Sequence, residues 1–563
     1  MHPHCLLALS LFGSCIAMYG CGSDSNAGNP VNGCAPDCSD GGGARDGAGG
    51  GTAGNGASSP GGASAASRAG NGGTASGGRG QGGTTATGGT TSPGTGGIAS
   101  GSGGTATDAS TSDGATTTAR PGWNLVAIDT ARRTYLDYVD VPASGVWTPE
   151  GDHFPALATW ENQAAYTAVR FQPYAPGDVL TPAQIMALLP ATRPATRSIS
   201  ITDDPYKASP APADATQAIQ KALDDAAALA NATTPVDVLV PPGVYDYSAV
   251  LRVGADVRLR RFPEDTGGSL HATNPANAAV HLAGDRSGAL FLVLNFGATA
   301  RDTTPQSSGI WVGGSSSTSA FVHDVLVVGN EVAEPASAHV FGIAEEGGTW
   351  AFNFAHDGYA DTFHHTGGSR YCQVVGNRAK TAANRGDDLY AFVSYQADGD
   401  VVHHSACIAN WGRDGAARGL SVVGGGFILL DHNDIDRTQW AGVYLARENS
   451  YQTYGVFDVT VTRNSVSHAN LGGSHDGLLA YADAPGDGHD SATFGSVSNQ
   501  VRRITVSNNT FSNTAAGVGN GFGVEIRSSV DTGEVTNNVL SGNAPPELVV
   551  NGTNFTTSGN QIN

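Results

Sequence analysis

Asp387 and Asp388 stand side by side in ANRGDDLYAF (383–392), directly after Gly386 and directly before an alternating apolar run. Asp361 opens a similar run, YADTFHH, 26 residues earlier (387 − 361 = 26). Crowded carboxyls cannot all ionise easily, so one keeps a proton it can donate while another stays ionised and can accept one. That pairing suits hydrolysis of a glycosidic bond, where an acid protonates the leaving oxygen and a base activates water. The inverting form of the reaction sets the two groups ~6.5–9.5 Å apart. Gly-Asp-Asp also fits a solvated turn in which Asp bonds its own backbone.

Other chemistry-bearing residues surround these acids. His364 and His365 follow Asp361 on its run, and His403 and His404 fall on a different face. An imidazole there is an acid–base group, a sugar hydrogen-bond partner or a packed histidine. Arg418 (AARGL) and Arg447 (YLARE) fit a grip on a sugar carboxylate or sulfate; Arg447 with Glu448 fits equally a surface ion pair. Trp411, Tyr444 and Tyr481 offer rings for stacking on sugars. Asp476, in HDGLLAY, extends the acidic line.

These residues converge only if the fold stacks their runs, and the sequence repeats in a way that does so. A residue, often Gly, followed by alternating apolar positions recurs as SGIWV (308–312), FGIAE (341–345), DTFHH (361–365), RGLSV (418–422), AGVYL (441–445), DGLLA (476–480) and FGVEI (522–526), with DDLYAF (387–392) between the third and fourth. Interleaved with it are apolar runs ending in Asn, at Asn330, Asn353, Asn377, Asn410, Asn433, Asn464, Asn509 and Asn538. Several steps are near 23 residues (353 − 330 = 23, 377 − 353 = 24, 433 − 410 = 23), and longer ones mark loop insertions. Short β-runs with one polar residue at a fixed turn predict an all-β, single-stranded right-handed parallel β-helix whose Asn side chains form a ladder. Stacked strands lie ~4.8 Å apart, which brings Asp361 near the Asp387–Asp388 pair. Alternation leaves one question open, since a one-residue slip turns every side chain to the other face. Either Asp388 shares the slot of Asp361 and Arg418, or Asp387 does.

One helix is expected over 213–231, with Ile219, Leu223, Ala226 and Ala230 on one face and Asp214/Gln217 as a capping-box-like start. It suits a lid over the first open coil. This block, DATQAIQKALDDA followed by VLVPPGVY, resembles the N-terminal part of the pectin-lyase-like superfamily, closest in motif to polygalacturonase-type inverting glycoside hydrolases. The resemblance covers about 213 to 563 and implies the β-helix. It implies that Asp361, Asp387 and Asp388 are catalytic, with Asp388 as the acid and the other two holding or activating water. His364, His365, Arg418, Tyr444 and Arg447 would then contact substrate. The chain departs from the family's Gly-His-Gly and Arg-Ile-Lys strands, reading AARGLSVVGG and AGVYLARE instead. The resemblance therefore implies the acid triad without a galacturonate site.

Composition bounds the rest. Of the 80 residues from 41 to 120, 28 are Gly, and no aromatic occurs between Tyr19 and Trp123. Such a segment buries too little to fold, so 22–120 reads as a disordered Gly/Ala/Ser/Thr-rich linker. Residues 1–21 read as a lipoprotein-type signal of an exported bacterial protein, with Cys21 lipidated at the outer membrane or cell surface; an ordinary secretory signal is the rival. Residues 121–200 read as an N-terminal extension and 201–563 as the β-helix. A net charge of −21 argues against nucleic-acid binding. Of seven cysteines, Cys372 and Cys407 fall in the helix region, as a pair or as buried thiols, and no metal-ligand spacing exists. No cofactor is expected, the partner is a polysaccharide, and the chain is expected to be a monomer. The rival functions are a polysaccharide lyase or uronan epimerase, with Arg418, Tyr444 or His364 as base and often with Ca²⁺, and a non-catalytic surface glycan-binding protein.

Overall fold

The computed structural model describes residue 195 and residues 197–563, apart from 264–265, 383 and 517–519. The signal, Cys21, the linker and nearly all of the 121–200 extension lie outside the described residues. Three long parallel sheets of 13, 11 and 12 strands wind around one core. Each coil gives one strand to each sheet: Leu326–Val328, Glu331–Ala333 and Val340–Ile343, after which Thr349–Ala351 stacks on the first. Crossovers between parallel strands wind right-handed, which gives the expected right-handed parallel β-helix. The first strand, Arg197–Ser200, already pairs with Val236–Val240, so the solenoid starts slightly before residue 201.

The Asn ladder is present and one rung longer than the sequence suggested. Asn330, Asn353, Asn377, Asn410, Asn433, Asn464, Asn509, Asn538 and Asn560 each occupy the corner between the 13- and 12-stranded sheets. At Asn377, Nδ2 donates to Asn410 Oδ1 (3.0 Å) and to the Trp350 carbonyl (2.8 Å), while Oδ1 accepts from Asn353 N–H and Nδ2 (both 2.9 Å). The residue before every rung has positive φ, from +54° at His432 to +69° at Gly329. Left-handed backbone costs a non-glycine residue roughly 1–2 kcal/mol, and a corner with four amide bonds of ~1 kcal/mol each offsets it.

Coil length varies widely around these corners. Leu429 pairs with Thr460 (460 − 429 = 31) and Thr460 with Thr505 (505 − 460 = 45). The longest coil holds a hairpin, His489–Ser491 with Gly495–Val497, which Ser491 and Thr493 tie to Asp400 (2.7 and 2.6 Å). One repeat is framed differently from expectation. Ile310 pairs with Val340, not Ile343, so FGIAE is three residues out of frame with SGIWV. Its Gly342 lies inside a strand rather than ahead of it.

Helix α1 (Thr216–Leu229) buries Ile219, Ala222, Leu223 and Ala226; Ala230 is its half-buried C-cap. No capping box forms, because Asp214 accepts instead from Thr216 N–H (2.9 Å) and Ser248 Oγ (2.6 Å). The lid role is fulfilled by Gln220. Its amide donates to the Arg252 carbonyl (3.1 Å) and accepts from Arg252 N–H (2.8 Å), occupying open backbone groups on the edge strand Leu251–Val253. Among the described residues no helix is long and apolar enough to cross a membrane.

Candidate active site

The acids sit where coils enter the 11-stranded sheet. Its relevant strands are β1 (Val340–Ile343), β2 (Phe363–Thr366), β3 (Tyr390–Val393), β4 (Leu420–Val423), β5 (Val443–Arg447) and β6 (Leu478–Ala482). Phe363 pairs with Tyr390, and Tyr390 with Leu420. Two residues before each lie Asp361, Asp388 and Arg418, which therefore share one slot. The bonds agree: Asp388 N–H donates to Asp361 Oδ1 (2.9 Å), and Arg418 N–H donates to Asp388 Oδ1 (3.0 Å). This answers the register question in favour of Asp388.

Asp387 is turned out of that slot by the residues before it. Gly386 has φ +118°, and a Cβ there would meet Thr381 Cγ2 at 2.8 Å. Arg385 pins the turn by donating to Glu334 Oε1 (3.2 Å) and the Asp357 carbonyl and by covering the Tyr359 ring (4.6 Å). The Asp387 side chain is 27% exposed against 5% for Asp388, so Asp387 is the carboxyl a substrate can reach. Arg301, 86 residues away in sequence, donates to its Oδ2 (3.2 Å).

Oxygens of the three carboxyls lie within 4.8 Å of one another. That is tighter than the ~6.5–9.5 Å of the inverting arrangement. Three such oxygens could hold a cation, but Arg301 and Arg418 already supply positive charge on both flanks. Burial, then the charges of Asp361 and Asp388, push the Asp387 carboxyl up to about 7 against the pull of Arg301 and Arg418. Burial also raises Asp388, with Arg418 (Nη1–Oδ2 3.5 Å) opposing. For Asp361 burial is outweighed by His364, Arg301 and the Asp388 amide, which hold it below its ordinary value. One carboxyl kept protonated near neutrality beside one kept ionised is an acid–base pair.

His364 belongs to this site and His365 does not. His364 points outward, and its Nδ1 bonds Asp361 Oδ2 (2.5 Å) while its buried Nε2 has no partner. His365 points into the solenoid, 1% exposed and stacked on Trp350 (3.7 Å, 20°), which corrects its expected substrate contact. Strand alternation from the inward Phe363 requires that. Arg418 joins the triad, and its guanidinium also binds Glu448 Oε1 (2.9 Å) and lies over Tyr444 (4.1 Å) and Trp440 (4.9 Å). Tyr444 is fully buried, with its hydroxyl donating to Glu448 Oε1 (2.7 Å) and bonding Tyr481 (2.8 Å); it braces Arg418 and is closed to substrate. Arg447 turns to Asp483 (3.2 Å), which corrects its expected place beside Arg418.

The remaining candidates fall elsewhere. Trp411 lies on the 12-stranded sheet under Arg413 (4.4 Å). His403 and His404 are buried against Tyr371, Phe427 and Phe494. Asp476 shares the triad's slot three coils on, but it is 1% exposed and accepts from Phe522 N–H (2.8 Å); burial and a proton shared with Glu525 push it up to about 8. Cys372 and Cys407 are buried free thiols. Sequence reasoning missed Arg301, Trp440 and Tyr395, and it set Glu448 against Arg447 where the structure sets it against Arg418. Tyr395 lies half-buried beside the triad, where the charges of Asp361 and Asp387 add to burial in raising its hydroxyl.

No family model and no curated protein matches the chain. Among solved structures it is similar to the A-module of mannuronan C-5 epimerase AlgE6 from Azotobacter vinelandii (16% identity, TM-score 0.46, covering 65% of this chain and 99% of that one). It is also similar to a Thermotoga maritima exopolygalacturonase (11%, TM-score 0.48, 65% and 92%) and a Yersinia enterocolitica family 28 exopolygalacturonase (14%, TM-score 0.44, 66% and 79%). No residue's role follows from likenesses of that size. The parallel β-helix itself stands on the strand pairing described above.

Proposed function

We propose that the protein is a glycoside hydrolase acting on a polysaccharide laid across β2–β4. The observation that carries this is three carboxyls with oxygens within 4.8 Å of one another, of which Asp387 is the most exposed; burial and crowding push Asp387 toward its protonated form while, against burial, His364 and Arg301 hold Asp361 toward its ionised form, as acid–base cleavage needs. Asp387, rather than Asp388, donates the proton to the leaving oxygen. Asp361 and Asp388 hold the water, and the His364 ring, bonded to Asp361 through Nδ1, braces that carboxylate. Arg418 is already paired with Asp388 and Glu448, which favours a neutral glycan over a uronate.

A second reading, lyase or epimerase chemistry, is supported by the unpartnered Nε2 of His364 as a base. Tyr444 and Arg418, the other bases considered, are respectively buried and ion-paired. The full chain is assayed on neutral and acidic glycans, following reducing ends and absorbance near 235 nm together. New reducing ends without absorbance support hydrolysis; absorbance marks elimination; a change in the ¹H NMR spectrum of an uncut uronan marks epimerisation, and none of the three on any glycan overturns the enzyme reading. ¹H NMR of the first-formed anomer then scores inversion, and a retained anomer would assign carboxylate attack in place of activated water.

A further inference from the structure

Inside the solenoid, behind the acid triad, three metal-ligating side chains of different chemistry meet. Glu345 follows β1, His365 is the inward histidine of β2, and Cys372 precedes the next strand of the 13-stranded sheet. They are 0%, 1% and 0% exposed. One ligand atom from each lies within 4.8 Å of the others, and Glu345 Oε2 is 3.5 Å from His365 Nδ1. Glu345 Oε2 and both ring nitrogens of His365 are buried without a hydrogen-bond partner. Across 3.5 Å these two atoms have only each other, and a buried carboxylate and imidazole so loosely paired are short of the compensation that burial in an apolar interior demands.

The surrounding chain makes room for the carboxylate. Gly342, the inward partner of His365 in the β1–β2 register, would place a Cβ 2.6 Å from Glu345 Oε2, and Gly348 would collide with Oε1. Glycine at Gly342 is also what put FGIAE out of frame in the repeat, so an interior strand position beside Glu345 carries no core side chain. Trp350 Nε1 donates to Glu345 Oε1 (3.1 Å) and fixes the carboxylate's orientation, as outer partners of metal ligands do.

We propose that Glu345, His365 and Cys372 supply three ligands of a buried site for a divalent transition metal, zinc in the first instance, with the fourth position left to a water. Thiolate sulfur, imidazole nitrogen and carboxylate oxygen are the three ligand types zinc takes, at ~2.0–2.3 Å. Thiolate and carboxylate together neutralise a divalent charge, and the thiolate selects against calcium and magnesium. Drawing the ligands to ~3.5 Å of one another takes about an ångström of side-chain movement. Full burial excludes substrate, so the ion ties two coils together rather than reacting.

The test uses the full chain purified without immobilised-metal chromatography, with metal content read by mass spectrometry. About one zinc per chain is expected, unchanged in His364→Ala and lost in Glu345→Gln and in Cys372→Ser. Should those variants fail to fold, wild type refolded with Co²⁺ gives the answer from its thiolate-to-cobalt charge-transfer band. Zinc retained at full stoichiometry in Cys372→Ser, or wild type refolded with Zn²⁺ or Co²⁺ that holds neither ion and shows no such band, overturns the site.

Discussion

His364 and His365 are adjacent in sequence, share strand β2 and live in opposite worlds. His364 faces outward, bonded to an aspartate in a cluster of charge that solvent reaches. His365 faces inward, among Trp350, Phe392 and two other potential ligands, where solvent does not. The outer site can keep crowded carboxyls because Asp387 remains partly exposed and two arginines share the charge. The inner cluster has no such outlet and must find a partner within reach. Polar residues on the two faces of one strand therefore answer to different rules: outside, proximity tunes proton affinity; inside, proximity has to end in neutralisation.

Substitutions on the two faces should separate cleanly. The largest effect is expected for Asp387→Asn, which lowers kcat by ~10²–10⁴-fold by removing the proton donor. Its stability should move the other way. The carboxyl titrates near 7 in the fold and at its ordinary value, 3.8, in the unfolded chain. Its contribution is thus full below that ordinary value and lost as pH rises through 7. Asp387→Asn removes the penalty, and thermal unfolding at pH 8 should show it more stable than wild type by about 1–2 kcal/mol, discounted for partial exposure. An active Asp387→Asn enzyme would sink the assignment of the acid.

On the inner face, His365→Ala should cost about 3 kcal/mol in denaturant unfolding, through the cavity beside Trp350 and the stranded Glu345, while the kcat of the folded fraction stays near wild type. A loss of kcat with unchanged stability would erase the contrast between the faces. A smaller effect is expected from pH alone: activity of wild type should fall about tenfold per unit above pH 7 as Asp387 ionises, measured as kcat against pH. The smallest is expected for His364→Ala, a fall in kcat of roughly fivefold with unfolding shifted by about 1 kcal/mol, since the one bond that braces the Asp361 carboxylate is lost.

Much of this arrangement was legible from the sequence, for physical reasons that also explain the gaps. The Asn rungs announced themselves because a left-handed corner with a buried amide recurs at each coil, and few other residues satisfy that geometry. The triad was legible because Asp361 and Gly386-Asp387-Asp388 both directly precede strands of the same sheet. FGIAE misled because a glycine inside a strand imitates the glycine that opens one. His365 was readable in principle, since Phe363 fixes the parity of the strand. Arg301 was not, because it comes from a loop whose length follows no period; Tyr395 and Glu448 lie just past β3 and β5, where strand alternation no longer fixes the direction of a side chain. The division of labour between Asp387 and Asp388 needed their differing exposure, which no motif encodes.

The Asn rungs also act as a datum. Between them a coil takes as few as 22 residues (Glu534 to Thr556) or as many as 45 (Thr460 to Thr505), and the excess bulges outward. Each corner is referenced to its neighbours by amide bonds, so lengthening a loop leaves the spacing of Asp361 and Asp388 untouched. Loop length and the placing of the acids are thereby uncoupled. Such a scaffold can carry different loops while Asp361 and Asp388 keep their coordinates.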